Sequence, residues 1–211
     1  MHDSLTFGLL CFTTFFTLMN PLGLVPVFIT MTSTLDTEQK VTTARKATIA
    51  AMVTLIVFAF SGQLLFKFFG ISADAFRVVG GIIFLFVGMD MLNARLTTTK
   101  ITQSEVKSYV NDISITPLAI PMICGPGAIT SSIVLMEDAH TLLRKCVLVG
   151  SIAVIGILTY IILVGATKIS RLLGEVGNNV MMRLMGLIVM VIAVEFFFAG
   201  LTPFLQKIFI K

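Results

Sequence analysis

Charge is what this chain has least of. Asp, Glu, Lys and Arg make up 12% of its 211 residues, about half the fraction a soluble domain carries. So little charge cannot cover a water-facing surface, which excludes an ordinary soluble domain. Histidine is scarce as well: His2 and His140 are too isolated to form a metal site. The three cysteines, Cys11, Cys124 and Cys146, sit in or beside apolar runs. Their number is odd and their spacing fits no zinc or redox pattern, so they read as small apolar packing residues. No Walker-type loop and no nucleophile–base pair occurs, so ATP coupling and catalysis have no sequence basis and no cofactor is implied. The basic residues give a net charge of +4 and a pI near 9.1. They are scattered singly or in pairs, without a basic stripe interleaved with aromatics, so nucleic acid is not an expected partner.

Apolar residues supply 56% of the chain, and the mean hydropathy is +1.01. The expected solvent for most of the chain is the lipid bilayer. A helix crosses the hydrocarbon core with about 20 apolar residues. Six runs approach that length: 5–31, 47–69, 77–92, 115–136, 146–167 and 184–205. The third is short unless its helix begins near Ser72. All six are too long and too continuously apolar for barrel strands. The predicted fold is therefore an all-α membrane protein with six transmembrane helices in a single transmembrane domain. The opening MHDSLTFGLLCFTTFF has no basic n-region and no small-residue cleavage site, so it is expected as a retained first helix rather than a signal peptide. Asp36 and Glu38 are placed to cap and charge the start of the second helix. The longest polar connection runs from Asn93 to Ser114. Counting Lys and Arg by side gives nine after the first, third and fifth spans against six opposite, which predicts both termini outside.

The chain also repeats itself weakly. RVVGGIIFLFVGMDML, from Arg77, and RLMGLIVMVIAVEFF, from Arg183, both open with Arg, two apolar residues and Gly. A displacement of 105 positions carries Gly81 onto Gly186 and Asp90 onto Glu195, and also Asn20-Pro21 onto Gly125-Pro126. FFGIS near Phe69 and LLGEV near Leu173 correspond with a slip of one residue. The expected organisation is a first repeat over about 1–95, a linker over about 96–113 and a second repeat over about 114–211. Three spans is an odd number, so the second copy starts on the opposite side of the membrane and the halves are inverted. Inverted repeats with Pro- or Gly-broken helices at matching positions point to a secondary transporter and to its site.

The breaks explain why. Proline lacks an N–H and disfavours helical geometry at the residue before it. Asn suits an N-cap and Pro the first helical position. Asn20-Pro21 and Gly125-Pro126-Gly127 thus read as junctions between half-helices, making the first and fourth helices discontinuous. Pro117 and Pro121 loosen the approach to the second junction. An unsatisfied backbone group in lipid costs several kcal/mol, so a break must face protein, water or ligand. A half-helix N-terminus carries roughly +0.5 charge and attracts anions, while the preceding carbonyls accept from a cation. Together they suit a zwitterion. The expected substrate contacts are Asn20, Pro21, Leu22 and Gly23 at the first break, and Gly125, Pro126, Gly127 and Ala128 at the second. Thr130 and Ser131 can line a polar cavity or bond back to their own helix. A plain kink is the alternative role of each break. Gly80, Gly81 and Gly186 are expected to permit close helix packing. Arg77 and Arg183 are expected at the interface. Asp90 and Glu195 are carboxylates in or near the membrane; they are candidates for binding a substrate ammonium or carrying a coupling proton.

NPLGLVPVF in the first run and TPLAIPMICGPGAIT in the fourth resemble the hallmark segments of the MarC family of bacterial and archaeal inner-membrane proteins. RVVGGIIFLFVGMDML and RLMGLIVMVIA resemble that family's third and sixth helices, so the resemblance covers nearly the whole chain. Asn20, Pro21 and Gly23 match the first hallmark, and Pro117, Pro121, Gly125, Pro126 and Gly127 the second. The resemblance implies a six-helix inner-membrane protein that transports small neutral amino acids such as glycine and alanine. It adds nothing for Asp90 and Glu195, which lie outside the hallmarks. The functional expectation is a secondary transporter, not an enzyme, working by alternating access with H⁺ or Na⁺ as a possible coupling ion. A channel or an exporter of another small solute is the alternative.

Overall fold

Local signals in the sequence begin and end each helix. A computed structural model describes residues 2–93, 110 and 112–209, all helix and turn among those residues. Most of the linker expected over 96–113 lies outside the described residues. Helix α1 spans His2–Met19 and α2 Leu24–Met31. Helix α3, Thr37–Phe69, opens with a capping box: Asp36 accepts from the Gln39 N–H while the Gln39 side chain accepts from the Asp36 N–H. That box makes the polar residues before the apolar run helical, so α3 starts well before the predicted 47. It ends where Gly70 turns left-handed (φ 64°), with the Ile71 N–H donating to the Phe66 carbonyl at 2.9 Å. This 6→1 bond satisfies carbonyls the helix leaves open. Helix α4, Ala73–Leu92, is capped by Ser72, whose hydroxyl accepts from the Ala75 N–H at 3.0 Å. Its 20 residues reach about 30 Å, one hydrocarbon thickness. The short third run does start near Ser72.

The rest of the described chain again opens on a broken pair. The segment α5, Ser114–Ile123, winds as a wide π-type coil interrupted by extended residues at Thr116 and Ile120, each followed by a cis-proline. Helix α6 spans Pro126–Asp138. Helix α7, Leu142–Phe209, is one long rod broken at Gly174, where φ is 64° and ψ −175°. Its two arms, Leu142–Ala166 and Asn179–Gln206, are each long and apolar enough to cross a membrane, as are α3 and α4. The described residues thus hold four such helices, or six candidate spans if each bent pair, α1–α2 and α5–α6, counts as one. The slipped match between Phe69 and Leu173 marks the two left-handed glycines, Gly70 and Gly174.

Packing joins the halves through their third helices. Helix α4 and the second arm of α7 make the most extensive interhelical contact in the molecule. A Cβ built on Gly81 would lie 2.7 Å from the Ala193 carbonyl oxygen and 2.8 Å from the Phe197 amide nitrogen. One built on Gly186 would lie 2.8 Å from both the Gly88 carbonyl oxygen and the Leu92 amide nitrogen. These are one contact seen from either half, because Gly81, Gly88 and Leu92 precede Gly186, Ala193 and Phe197 by the same 105 positions. Farther along, Gly200 meets Asp74 and Val78, while Gly88 meets Met190. Partner numbers fall as α4 numbers rise, so the helices run antiparallel. This exchange of contacts is consistent with the two inverted halves expected from the sequence. Lipid gives helices no hydrophobic reason to associate, so close approach at small residues supplies the contact.

The outer surface is apolar. Leu64, Phe68, Phe86, Ile161 and Val191 are all more than half exposed, a display that water does not tolerate and lipid does. The core runs through Phe15, Met19, Phe28, Ala51, Leu118, Ile123 and Ile152, all fully or almost fully buried. The buried hydroxyls bond within their own helices. Thr48, Thr130 and Thr159 each donate to the carbonyl four residues back, at 2.8, 2.8 and 2.7 Å.

Candidate functional site

The two breaks solve the same problem with different chemistry. At the first, Asn20 adopts a left-handed conformation (φ 43°), which asparagine tolerates better than most residues. Its N–H still bonds the Phe16 carbonyl at 3.1 Å, closing α1. Its side-chain Oδ1 accepts from the Gly23 N–H at 3.2 Å. Its carbonyl accepts from the Leu24 N–H at 3.2 Å, and the Leu22 carbonyl accepts from Val25 at 3.2 Å. Asn20 is therefore not an extended N-cap followed by Pro21 as first helical residue. It is a left-handed terminator whose side chain reaches across Pro21-Leu22 to the start of α2. Gly23 is required because a Cβ there would run into the Asn20 carboxamide.

At the second break the expected geometry holds. Gly125 is an extended N-cap (φ −73°, ψ 165°) and Pro126 is the first residue of α6. Gly125 has no side chain to cap with. The Gly125 carbonyl accepts from the Ile129 N–H at 3.0 Å, and the Gly127 and Ala128 N–H groups have no backbone acceptor among the described residues. The breaks thus differ: α2 begins with its amides occupied, and α6 begins with two open donors.

Beside the first break lies a cavity of about 40 Å³ lined by Leu18–Asn20, Gly23 and Leu24, by Met122 before the second break, and by Phe84, Val87, Met91, Val189 and Ile192 from the crossing helices. Phe84 and Val189 are equivalent positions in the two halves, as are Val87 and Ile192. The remaining lining belongs to the first break, so the cavity sits nearer to it than to the second. Its lining is apolar apart from Asn20 and backbone atoms, and none of the described residues lining it is ionisable.

Of the residues expected to touch substrate, only Asn20 and Gly23 reach this cavity. Pro21 is buried beside it, and Leu22 points away, 57% exposed. Gly125, Pro126, Gly127 and Ala128 are all buried and do not line the cavity. A Cβ on Gly125 would meet the Phe84 ring, and one on Gly127 would meet the Phe196 ring. Those two rings lie 6.3 Å apart, centroid to centroid. Thr130 bonds back to the Pro126 carbonyl, and Ser131 is half-buried on α6 outside the cavity lining. Asp90 and Glu195 are exposed on the outer faces of α4 and α7 and do not line the cavity. Phe84, Val87, Met91, Met122, Phe196 and Ile192 carry no polar signal that would single them out in an apolar run. The 105-residue displacement does pair four of the lining positions.

An all-helical chain with an apolar outer surface and four to six candidate membrane spans is a multi-pass integral membrane protein. The family follows from comparison. Residues 5–205 match the model for MarC family integral membrane proteins, and the chain belongs to that family. It is 39% identical to a UPF0056 membrane protein of Pyrococcus horikoshii, over 95% of this chain and 97% of that one. It is 35% identical to one from Methanocaldococcus jannaschii, over 93% and 97%. It is 33% identical to UPF0056 membrane protein YhcE of Escherichia coli, over 88% and 87%. No solved structure matches the chain.

Proposed function

We propose that this protein is a secondary transporter of small neutral amino acids of glycine or alanine size, working by alternating access between two inverted three-helix halves. The observation that carries the proposal is the cavity beside the first broken helix, where Asn20 and Gly23 meet both crossing helices and Phe84 and Val87 face their counterparts Val189 and Ile192. A site where inverted halves meet is presented to either side in turn when the halves exchange conformations. The proposal takes the two broken helices, bent by 42° and 61°, as crossing the membrane rather than re-entering. With α4 antiparallel to the last arm of α7, this gives six spans and opposite orientation of the halves. The open Gly127 and Ala128 amides suit a carboxylate. The carboxamide of Asn20 and the carbonyls ending α1 suit an ammonium. The proposal places the protein in the inner membrane with both termini outside, with no enzymatic activity and no cofactor, coupled to H⁺ or Na⁺.

The test is counterflow in proteoliposomes. Saturable exchange of labelled glycine or alanine supports a carrier. Unsaturable conductance would assign a pore instead, and absence of movement of any amino acid, with or without an ion gradient, would refute the proposal.

A further inference from the structure

The cavity stops short of the open donors at the second break, because neither Gly127 nor Ala128 lines it. Two phenylalanine rings are seated on the glycines of that break. Phe84 lines the cavity on one face and presses its ring on Gly125 with the other. Phe196 covers Gly127, whose amide is one of the two open donors. The first break carries no such rings. Its equivalents of Phe84 and Phe196 are Val189 and Met91, and both simply line the cavity.

We propose that the Phe84–Phe196 pair is the size filter of the transport site: the rings part to let a zwitterion's carboxylate reach the Gly127 and Ala128 amides, and the space they release limits its side chain to about a methyl group. This rests on the transport reading above and names its specificity determinants. Ring and glycine are complementary here. Gly125 can lack a side chain because Phe84 fills its place, and Asn20 can keep one because Val189 is small. Enlarging the space behind the rings therefore admits a larger substrate without touching the amides. Discrimination of one methylene in an apolar pocket is worth about 10–200-fold, so the ring pair has ample leverage.

The experiment measures uptake of glycine, alanine and leucine by proteoliposomes holding the full chain, as wild type, Phe84→Ala, Phe84→Val and Phe196→Ala. The leucine-to-alanine ratio should rise at least about tenfold in both alanine variants, and by less in Phe84→Val. An unchanged ratio, whatever happens to total uptake, would make the rings mere packing and overturn the proposal. If Phe84→Ala does not yield monodisperse protein, Phe84→Val and Phe196→Ala decide. A second readout needs no transport at all. Cys124 is fully buried and adjoins Gly125, so in a Cys11→Ala/Cys146→Ser background it reports opening of the second break. A water-soluble methanethiosulfonate should label it faster in Phe84→Ala and Phe196→Ala than in the parent. Protection in both variants would overturn the filter. If the wild type moves no amino acid, the transport reading falls and the labelling result alone judges the rings.

Discussion

The glycine crossing of α4 and α7 makes a demanding prediction. Gly81→Ala places a Cβ 2.7 Å from the Ala193 carbonyl oxygen, where ordinary contact begins at 3.4 Å. The obstacle is backbone, so no side chain can rotate away and the two axes must part. A gap of about 0.5–1 Å forfeits a quarter to a half of each dispersion contact along the seam. Overpacking of this kind costs about 1–3 kcal/mol, and the better helix propensity of alanine returns up to about 1 kcal/mol. The expected net loss is about 1–2 kcal/mol. Gly186→Ala faces the equivalent backbone atoms at 2.8 Å and should cost the same. The double variant should cost less than the sum, by about 0.5 kcal/mol or more, because parting the axes once relieves both clashes. Gly150→Ala and Gly165→Ala, which meet nothing within 4 Å, should be neutral or slightly stabilising. Reversible unfolding in detergent micelles measures all five. Equal effects at Gly81 and Gly150, or strict additivity of Gly81 with Gly186, would refute the shared crossing.

Three further outcomes are expected. Asn20→Ala loses the acceptor for the Gly23 N–H, about 1 kcal/mol, and puts alanine in the left-handed region for about 1 kcal/mol more. Asn20→Gly relieves only the second cost, so thermal melts should show it about half as damaging, and equal losses would deny the backbone a role. Asp36→Ala dismantles the α3 capping box and should cost about 1 kcal/mol with transport unchanged, while Asp36→Asn keeps most of the stability. Asp74→Asn removes the Arg77–Asp74 pair at 3.2 Å, whose side chains are 30% and 33% exposed. Its unfolding free energy should change by less than about 0.5 kcal/mol.

Much of this architecture is written locally. Asp36, Ser72, Gly70 and the Pro-broken junctions act on neighbouring backbone, so caps and breaks are legible residue by residue. The displacement of 105 positions exposes the repeat and, through it, the crossing of Gly81 with Ala193 and Gly186 with Gly88. What is not legible depends on contacts distant in sequence. Asn20-Pro21 and Gly125-Pro126 look alike as dipeptides, yet the Asn20 carboxamide takes up the Gly23 N–H, whose counterpart at the second break, the Ala128 N–H, stays open. Phe84 and Phe196 sit in apolar runs where any phenylalanine could face lipid, and only their seats on Gly125 and Gly127 set them apart. Glu195 shows the converse: a carboxylate in an apolar run attracts functional expectation, and the fold turns it outward among Val191, Val194 and Phe198.

Inversion of the halves is the central claim, and sidedness tests it most directly. Ser33 lies exposed between α2 and α3, and His140 lies exposed at the corresponding turn between α6 and α7. In a background with Cys11, Cys124 and Cys146 replaced, Ser33→Cys and His140→Cys are labelled one at a time with a membrane-impermeant maleimide, in intact cells and in inside-out vesicles. Inverted halves predict that one site reacts only in cells and the other only in vesicles. Reaction of both sites from the same side would mean that the bent pairs re-enter rather than cross, and would contradict the account.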